Sequence, residues 1–539
     1  MNKVNPKATN TSKKPVDSKV KGWRHLVIAK KADLVLGLIL ILTILLYAML
    51  MLTDQVPVPG LVALGITWLV YALIGGRLTF ATPVDLPILG MLGLLPLSLS
   101  ISMDWSLSLP KVYGLILGFV LFYLAVNTVR NYSRLQLAIW ALILLGMGTA
   151  FLGLLTADWT RGRFTFVATI QQKLMGLLHL SSTIAETGEA NVNTIGGALT
   201  FFVPCLGSLL WDGGAYDRKY LHAKQNRRLL RAVFYGLVGT AFLFILAVLI
   251  LTQSRSAYLG CIIGLFALLI FKDRRFLWLI LLLFVVSIIA LTVLGHGDPF
   301  AFLTSLTSRG EITLQQRFHL WLETIGVIQD FPLTGGGIFT SGRLLQELYT
   351  FNLFPGASEY FNHAHNIFLS VAFDLGIPGL VLYAALLGSF GAMTFRNLRV
   401  GRSIIKVLIV GLACGMLAHL AFGLMDANNL GTKLGAVLWL FLGVNAAVYV
   451  HRHRFSVRRS MENHQRADEI TQKPTRQLVK SRLLDLAIGS GLWVLISLAA
   501  VSFINFYPLV SITAAILGGG LLGVYVVKRF RSTTHKLRA

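Results

Sequence analysis

Asn362-His363-Ala364-His365-Asn366, followed by the apolar run Ile367 to Leu387 with Gly376-Ile377-Pro378-Gly379 inside it, is the stretch from which the chain is read. The run is long enough to cross a bilayer as a helix, which puts His365 at its mouth, where water meets lipid. His365 and Gly376 are eleven residues apart, and at about 100° per residue they return to nearly the same face. On a continuous helix His365, Ala372, Gly376 and Gly379 form one stripe. Small residues on such a stripe let a neighbouring helix approach closely, which would hold the histidine end rigid. The alternative is an interfacial histidine above glycines that serve packing alone.

The rest of the chain is consistent with a membrane setting. Of 539 residues, 55% are hydrophobic and 13% charged, and the mean hydropathy is +0.70. Continuous apolar runs of about 20 residues recur along it, each matching a hydrocarbon core of about 30 Å. They do not alternate with period two, so a barrel is not indicated. The fold class is an all-α polytopic membrane protein with about 14 transmembrane helices and a large outer loop. The formal charge of +25 comes in short clusters between apolar runs. Such clusters read as topology signals and not as a nucleic-acid surface. Cys205, Cys261 and Cys414 all lie within apolar runs, so no disulfide framework or metal site is indicated.

The expected spans lie near 32–53, 58–75, 84–102, 108–128, 135–155, 192–211, 231–252, 254–271, 276–295, 365–390, 403–424, 430–450, 483–504 and 509–527. Arg77, Arg130, Arg134, Lys272, Arg274, Arg275, Arg396, Arg399 and the clusters around 218–228 and 452–459 fall in alternate loops. The positive-inside rule assigns those loops and both termini to the cytoplasm. This divides the chain into a basic tail over 1–31, a twelve-span core over 32–450, a basic linker over 451–482, two further spans over 483–527 and a basic tail over 528–539. Two outer loops are long, 156–191 and 296–364, and long loops among tight connections concentrate function.

In the second long loop, Leu314, Phe318, Trp321, Ile325 and Ile328 recur at steps of three and four, which predicts an amphipathic helix over Glu311 to Asp330. Ser308-Arg309-Gly310-Glu311 matches a capping box at its start. Phe331-Pro332 ends it before Gly335-Gly336-Gly337. Arg255 breaks the positive-inside pattern, because Ser254-Arg255-Ser256 sits at an outer junction between two spans. It either snorkels to lipid phosphate or grips an anionic ligand. Arg255, Arg317 and His365 all fall on the expected outer face. Arginines can hold a departing diphosphate, and a histidine can take the proton from an attacking hydroxyl. No outer carboxylate cluster is apparent, so no divalent metal and no other cofactor is expected.

His365-Asn366, nine residues, then Gly376-Ile377-Pro378-Gly379-Leu380 resembles the signature of the O-antigen ligase and O-antigen polymerase superfamily. Arg255 in its Ser-Arg-Ser setting, Arg317-Phe318-His319-Leu320-Trp321 and Pro332-Leu333-Thr334-Gly335-Gly336-Gly337 are similar to further motifs of that family, in the same order. Asn191 to Asn193 resembles its asparagine-containing element more loosely, and the similarity covers roughly 190–450. The resemblance implies a metal-independent, inverting transfer of a glycan from undecaprenyl diphosphate to an acceptor hydroxyl. The acceptor is a lipid, a glycan or a protein. The reaction would take place at the outer face of a bacterial inner membrane, with membrane lipid around the protein and no nucleic acid involved. His365 matches the catalytic base, and Arg255 and Arg317 match the diphosphate-binding arginines. His363, Arg309, His319 and Asn366 are supporting candidates. The linker and the two spans beyond 482 depart from the family pattern.

Other classes remain open on the sequence. A secondary transporter of this span number would place ionisable groups near the midplane, where Asp374 and His419 are the candidates. A flippase or a structural partner in glycan export would not need His365 and Arg255 at one surface. Within the enzyme reading, ligase, polymerase and protein O-oligosaccharyltransferase differ in an acceptor that the outer loops do not spell out.

Overall fold

The computed structural model describes residues 16–53, 55–157, 159, 166–177, 192–211, 227–294, 314–349, 363–399, 403–427, 430–455 and 476–536. The predicted capping box and Arg309 therefore lie outside the described residues. All regular structure among the described residues is helical. The first half comprises α1 (Val16–Thr53), α2 (Val58–Gly75), α3 (Asp85–Ser100), α4 (Trp105–Thr128), α5 (Tyr132–Thr156) and α6 (Phe166–Leu177). After these come α7 (Val192–Leu199), α8 (Phe202–Trp211), α9 (Arg227–Leu251), α10 (Arg255–Lys272) and α11 (Phe276–Leu294). The second half holds α12 (Leu314–Asp330), α13 (Ser341–Leu348), α14 (Ile367–Asn397), α15 (Ser403–Gly423), α16 (Ala436–Val450), α17 (Arg452–Phe455), α18 (Arg476–Phe503) and α19 (Pro508–Lys536).

Eleven spans among the described residues are long and apolar enough to cross a membrane, and Asp85–Ser100, Phe276–Ala290 and Ala436–Val450 are shorter apolar helices. The protein is thus an all-α, multi-pass membrane protein, with apolar helices at the predicted positions. The predicted span over 192–211 is divided into α7 and α8 at Thr200–Phe201. Helix α6, within the first long loop, has no counterpart in the sequence reading.

The stripe expected from His365 through Gly379 does not form. His365 lies before the helix, with φ +47°, and Gly376 interrupts α14 with φ 68° and ψ −177°. The predicted helix over 365–390 therefore starts two residues later and is broken in its middle. Breaking a helix inside a membrane frees backbone groups that lipid cannot satisfy, and here the turn after α12 satisfies them. Ile377 N–H donates to Pro332 O at 2.8 Å, and Gly336 N–H donates to Phe373 O at 2.7 Å. Both glycine motifs are needed for this clasp. A Cβ on Gly376 would sit 2.6 Å from the Leu333 carbonyl, and one on Gly335 would sit 2.1 Å from Phe373 O.

The Gly376→Ala protein is expected to lose about 1–3 kcal/mol from its backbone conformation alone, before the collision with Leu333. Gly391, in the same helix with nothing within 4 Å of its Cβ position, should tolerate alanine or gain slightly. Thermal unfolding of the two purified variants in detergent tests the contrast. Equal melting temperatures would count against the clasp.

Close helix approach to α14 occurs instead beyond the break, against the two C-terminal helices. Cβ atoms on Gly388, Gly519 and Gly523 would fall 2.2 Å from Gly520 O, 2.4 Å from Val381 O and 2.1 Å from Ala385 O. Trp493 of α18 donates to Pro378 O at 3.0 Å. The small residues thus bring α19 onto α14 backbone to backbone.

Helix α12 begins at Leu314, the first described residue of that segment, and its buried face differs from the predicted one. Ile325 and Ile328 are buried, but so are Leu320, Thr324 and Val327, whereas Phe318 is 56% exposed. The stripe widens because α12 packs on two sides: Ile325 and Ile328, with Trp321, join a cluster with α14 and the C-terminal helices, and Leu320 and Val327 join one with Leu344, Leu345 and Phe373.

Candidate functional site

Asn366 caps α14. Its side-chain oxygen accepts from Phe368 N at 3.0 Å and Leu369 N at 3.2 Å, and its amide donates to Leu424 O at 3.2 Å. One residue thereby starts the helix and ties it to the segment leaving α15. Just before it, Ala364 N–H donates to Ser370 Oγ at 3.3 Å, and Trp321 of α12 donates to Ala364 O at 2.9 Å. These bonds hold His365 in the left-handed region, a conformation that costs a non-glycine residue of order 1–3 kcal/mol and clusters at functional sites.

The segment after α15 supplies Asp426. Its Oδ1 lies 3.1 Å from His365 Nδ1 and 3.0 Å from His363 Nε2, and it accepts from Ala427 N at 2.8 Å. His365 and Asp426 are 7% and 3% exposed, and the two imidazole rings are 4.3 Å apart. Burial alone would raise the Asp426 carboxyl. The charges and hydrogen bonds of His365 and His363 outweigh it and hold the group well below the usual carboxylate range. An ionised carboxylate only accepts, so both facing ring nitrogens donate. His365 then carries its proton on Nδ1, and its lone pair is on Nε2 when the ring is neutral.

Burial, and after it the charge of His363, lowers the His365 pKa from its ordinary value against the opposing pull of Asp426. The charge of Arg317 also lowers it. Arg317 Nη1 donates to Met425 O, next to Asp426, and its Nε is buried with no partner among the described residues.

Arg255 opens α10 behind the cap of Ser254, whose Oγ accepts from Ala257 N at 3.4 Å, and its side chain is exposed. Gln253, just before the cap, is also left-handed at φ 54°. Helices α10 and α15 run antiparallel. Gly264 meets Cys414 O and Ala418 Cβ, and Gly260 meets Ala418 O and Phe422 N. Continuing that register brings Arg255 level with Met425 and Asp426. The structure thus gathers Arg317, His363, His365 and Asn366 around the end of α15. His319 is exposed on α12 and is not among the groups bonded to Asp426.

The two intramembrane candidates for transport are occupied otherwise. Asp374 accepts from Phe339 N at 3.0 Å. His419 stacks on Phe201 with ring centroids 4.1 Å apart.

The family model described as O-antigen ligase matches residues 240–384, the segment that contains Arg255, Arg317 and His365. This supports the O-antigen ligase and polymerase superfamily. No curated protein matches the chain. Asp426, outside the matched segment, is the residue that sequence reasoning missed. A signal for it existed, since it closes an apolar run at the end assigned to the same membrane face as His365.

Proposed function

We propose, taking the O-antigen ligase domain at residues 240–384 as the premise, that this chain transfers a glycan from undecaprenyl diphosphate to an acceptor hydroxyl. The site would face outward at a bacterial inner membrane, with both termini in the cytoplasm. The observation that carries the reading is the His365–Asp426 pair beside Arg317. His365 Nε2 takes the hydroxyl proton as the acceptor oxygen attacks the anomeric carbon. The bond from that carbon to the diphosphate oxygen breaks from the opposite side, so the anomeric configuration inverts. Arg317 and Arg255 bind the departing diphosphate, whose charge grows in the transition state. No step calls for a metal ion. Asp426 fixes the tautomer and stabilises the imidazolium that forms.

The test is transfer by protein purified into lipid nanodiscs, from a synthetic undecaprenyl diphosphate oligosaccharide, with a chelator present. The product anomer is read by NMR, and the acceptor consumed separates ligase, polymerase and protein glycosyltransferase. Arg317→Ala and Arg255→Ala are each expected to lower kcat by roughly 10²–10³-fold, the range for removing one preorganised donor. Wild-type rates in both variants would remove the arginines from the mechanism, and a retained anomer would remove the single displacement.

A further inference from the structure

The nitrogens of His363 and His365 and the carboxylate of Asp426 all lie within 4.8 Å of one another. Two imidazoles and one carboxylate are a donor set for zinc-type divalent ions and a poor one for magnesium or calcium, which prefer all-oxygen shells. A second observation marks the cluster as more than a hydrogen-bond network. Asp426 is 3% exposed, and its Oδ2 is buried with no hydrogen-bond partner among the described residues. Oδ1, the oxygen that both ring nitrogens face, already accepts from Ala427 N–H, so Oδ2 is the carboxylate oxygen left to take a further ligand. We infer that His363, His365 and Asp426 form an inhibitory binding site for a zinc-class divalent cation. The inference rests on His365 being the base.

Asp426 keeps one oxygen on Ala427 N–H and turns the other to the ion, which orients the ligand from a second shell. His363, the more exposed of the two histidines with 22% of its side chain accessible, closes onto the ion by a ring rotation. Metal–nitrogen bonds of about 2.0–2.1 Å need the two facing nitrogens to draw together. A water completes the tetrahedron.

Inhibition follows from the tautomer. In the metal-free site Nδ1 of His365 holds the proton and Nε2 the lone pair. The ion takes the Nδ1 lone pair, so the proton on Nδ1 leaves and a proton is taken up on Nε2. The ring stays neutral overall, but the nitrogen facing the acceptor is now a donor. The base is lost without displacing the diphosphate-binding arginines.

The experiment titrates the full-length protein in nanodiscs with Co²⁺, reading the visible d–d bands of tetrahedral cobalt, and then displaces Co²⁺ with Zn²⁺. One equivalent is expected to bind to wild type. His363→Gln and Asp426→Asn are each expected to weaken binding at least tenfold, since second-shell groups alone are worth about 10–100-fold. His319→Gln serves as the control for adventitious coordination and should bind like wild type. Circular dichroism and gel filtration establish that each variant is folded. Zn²⁺ should inhibit transfer in the concentration range of its binding, and EDTA should restore it. Cobalt spectra unchanged in both cluster variants, or no saturable binding, would overturn the site. Activity that requires Zn²⁺ would overturn its inhibitory role. Because binding is read without turnover, cobalt coordination lost in the variants of a protein that transfers nothing would sink the enzyme reading and leave the metal site standing.

Discussion

The His365→Ala protein is expected to fold and to transfer glycan roughly 10²–10⁴-fold more slowly than wild type, the usual worth of a positioned general base. Folding should survive because the capping bonds come from Asn366 and the link to α12 from the Ala364 carbonyl. The left-handed backbone at residue 365 is less favourable for alanine than for histidine, which lowers stability slightly but leaves these bonds in place. The sign of the pH dependence follows from burial. A base works as the neutral ring, and His365 has its pKa lowered, chiefly by desolvation. As pH falls, the wild-type rate should therefore persist below the ordinary histidine value of about 6.5 and fail only at lower pH. A profile of kcat/KM against pH measures this. An acid limb at or above 6.5, or wild-type transfer by the alanine variant, would remove His365 as the base.

Asp426→Asn should bring the second large loss. Asparagine keeps the size but can present an amide N–H to His365 Nδ1, which then accepts, and the ring proton moves to Nε2. In a serine-protease triad the same exchange costs about 10⁴-fold. A comparable loss in kcat is expected here with little change in KM, because Asp426 touches the base and not the donor. Removing the carboxylate also removes a charge that raises the His365 pKa, so the residual activity should have its acid limb at lower pH than wild type. A merely structural role would reduce rate and stability together and leave the limb in place. Asp426→Glu, which keeps the charge, should recover part of the rate.

Chain-local signals carried much of this protein. Apolar runs of bilayer length gave the helices, since each helix satisfies its own backbone and faces lipid or a neighbour wherever it packs. Arg255 stood out because its loop breaks the charge pattern, and His365 because a short motif surrounds it. The stripe drawn through His365 and Gly376 failed for a reason that periodicity does not contain. Glycine at 376 reads as a small helical residue until another segment is seen to occupy the space of its missing Cβ.

Membrane class, most helix positions and the candidacy of His365, Arg255 and Arg317 were therefore legible in the sequence alone, because hydropathy and short motifs act over neighbouring residues. The pairing of His365 with Asp426 across 61 positions, the clasp between the two glycine motifs and the docking of α19 on α14 were decided only by tertiary structure. Each depends on a backbone approach between segments remote in sequence, and such an approach is fixed by how whole helices pack against one another.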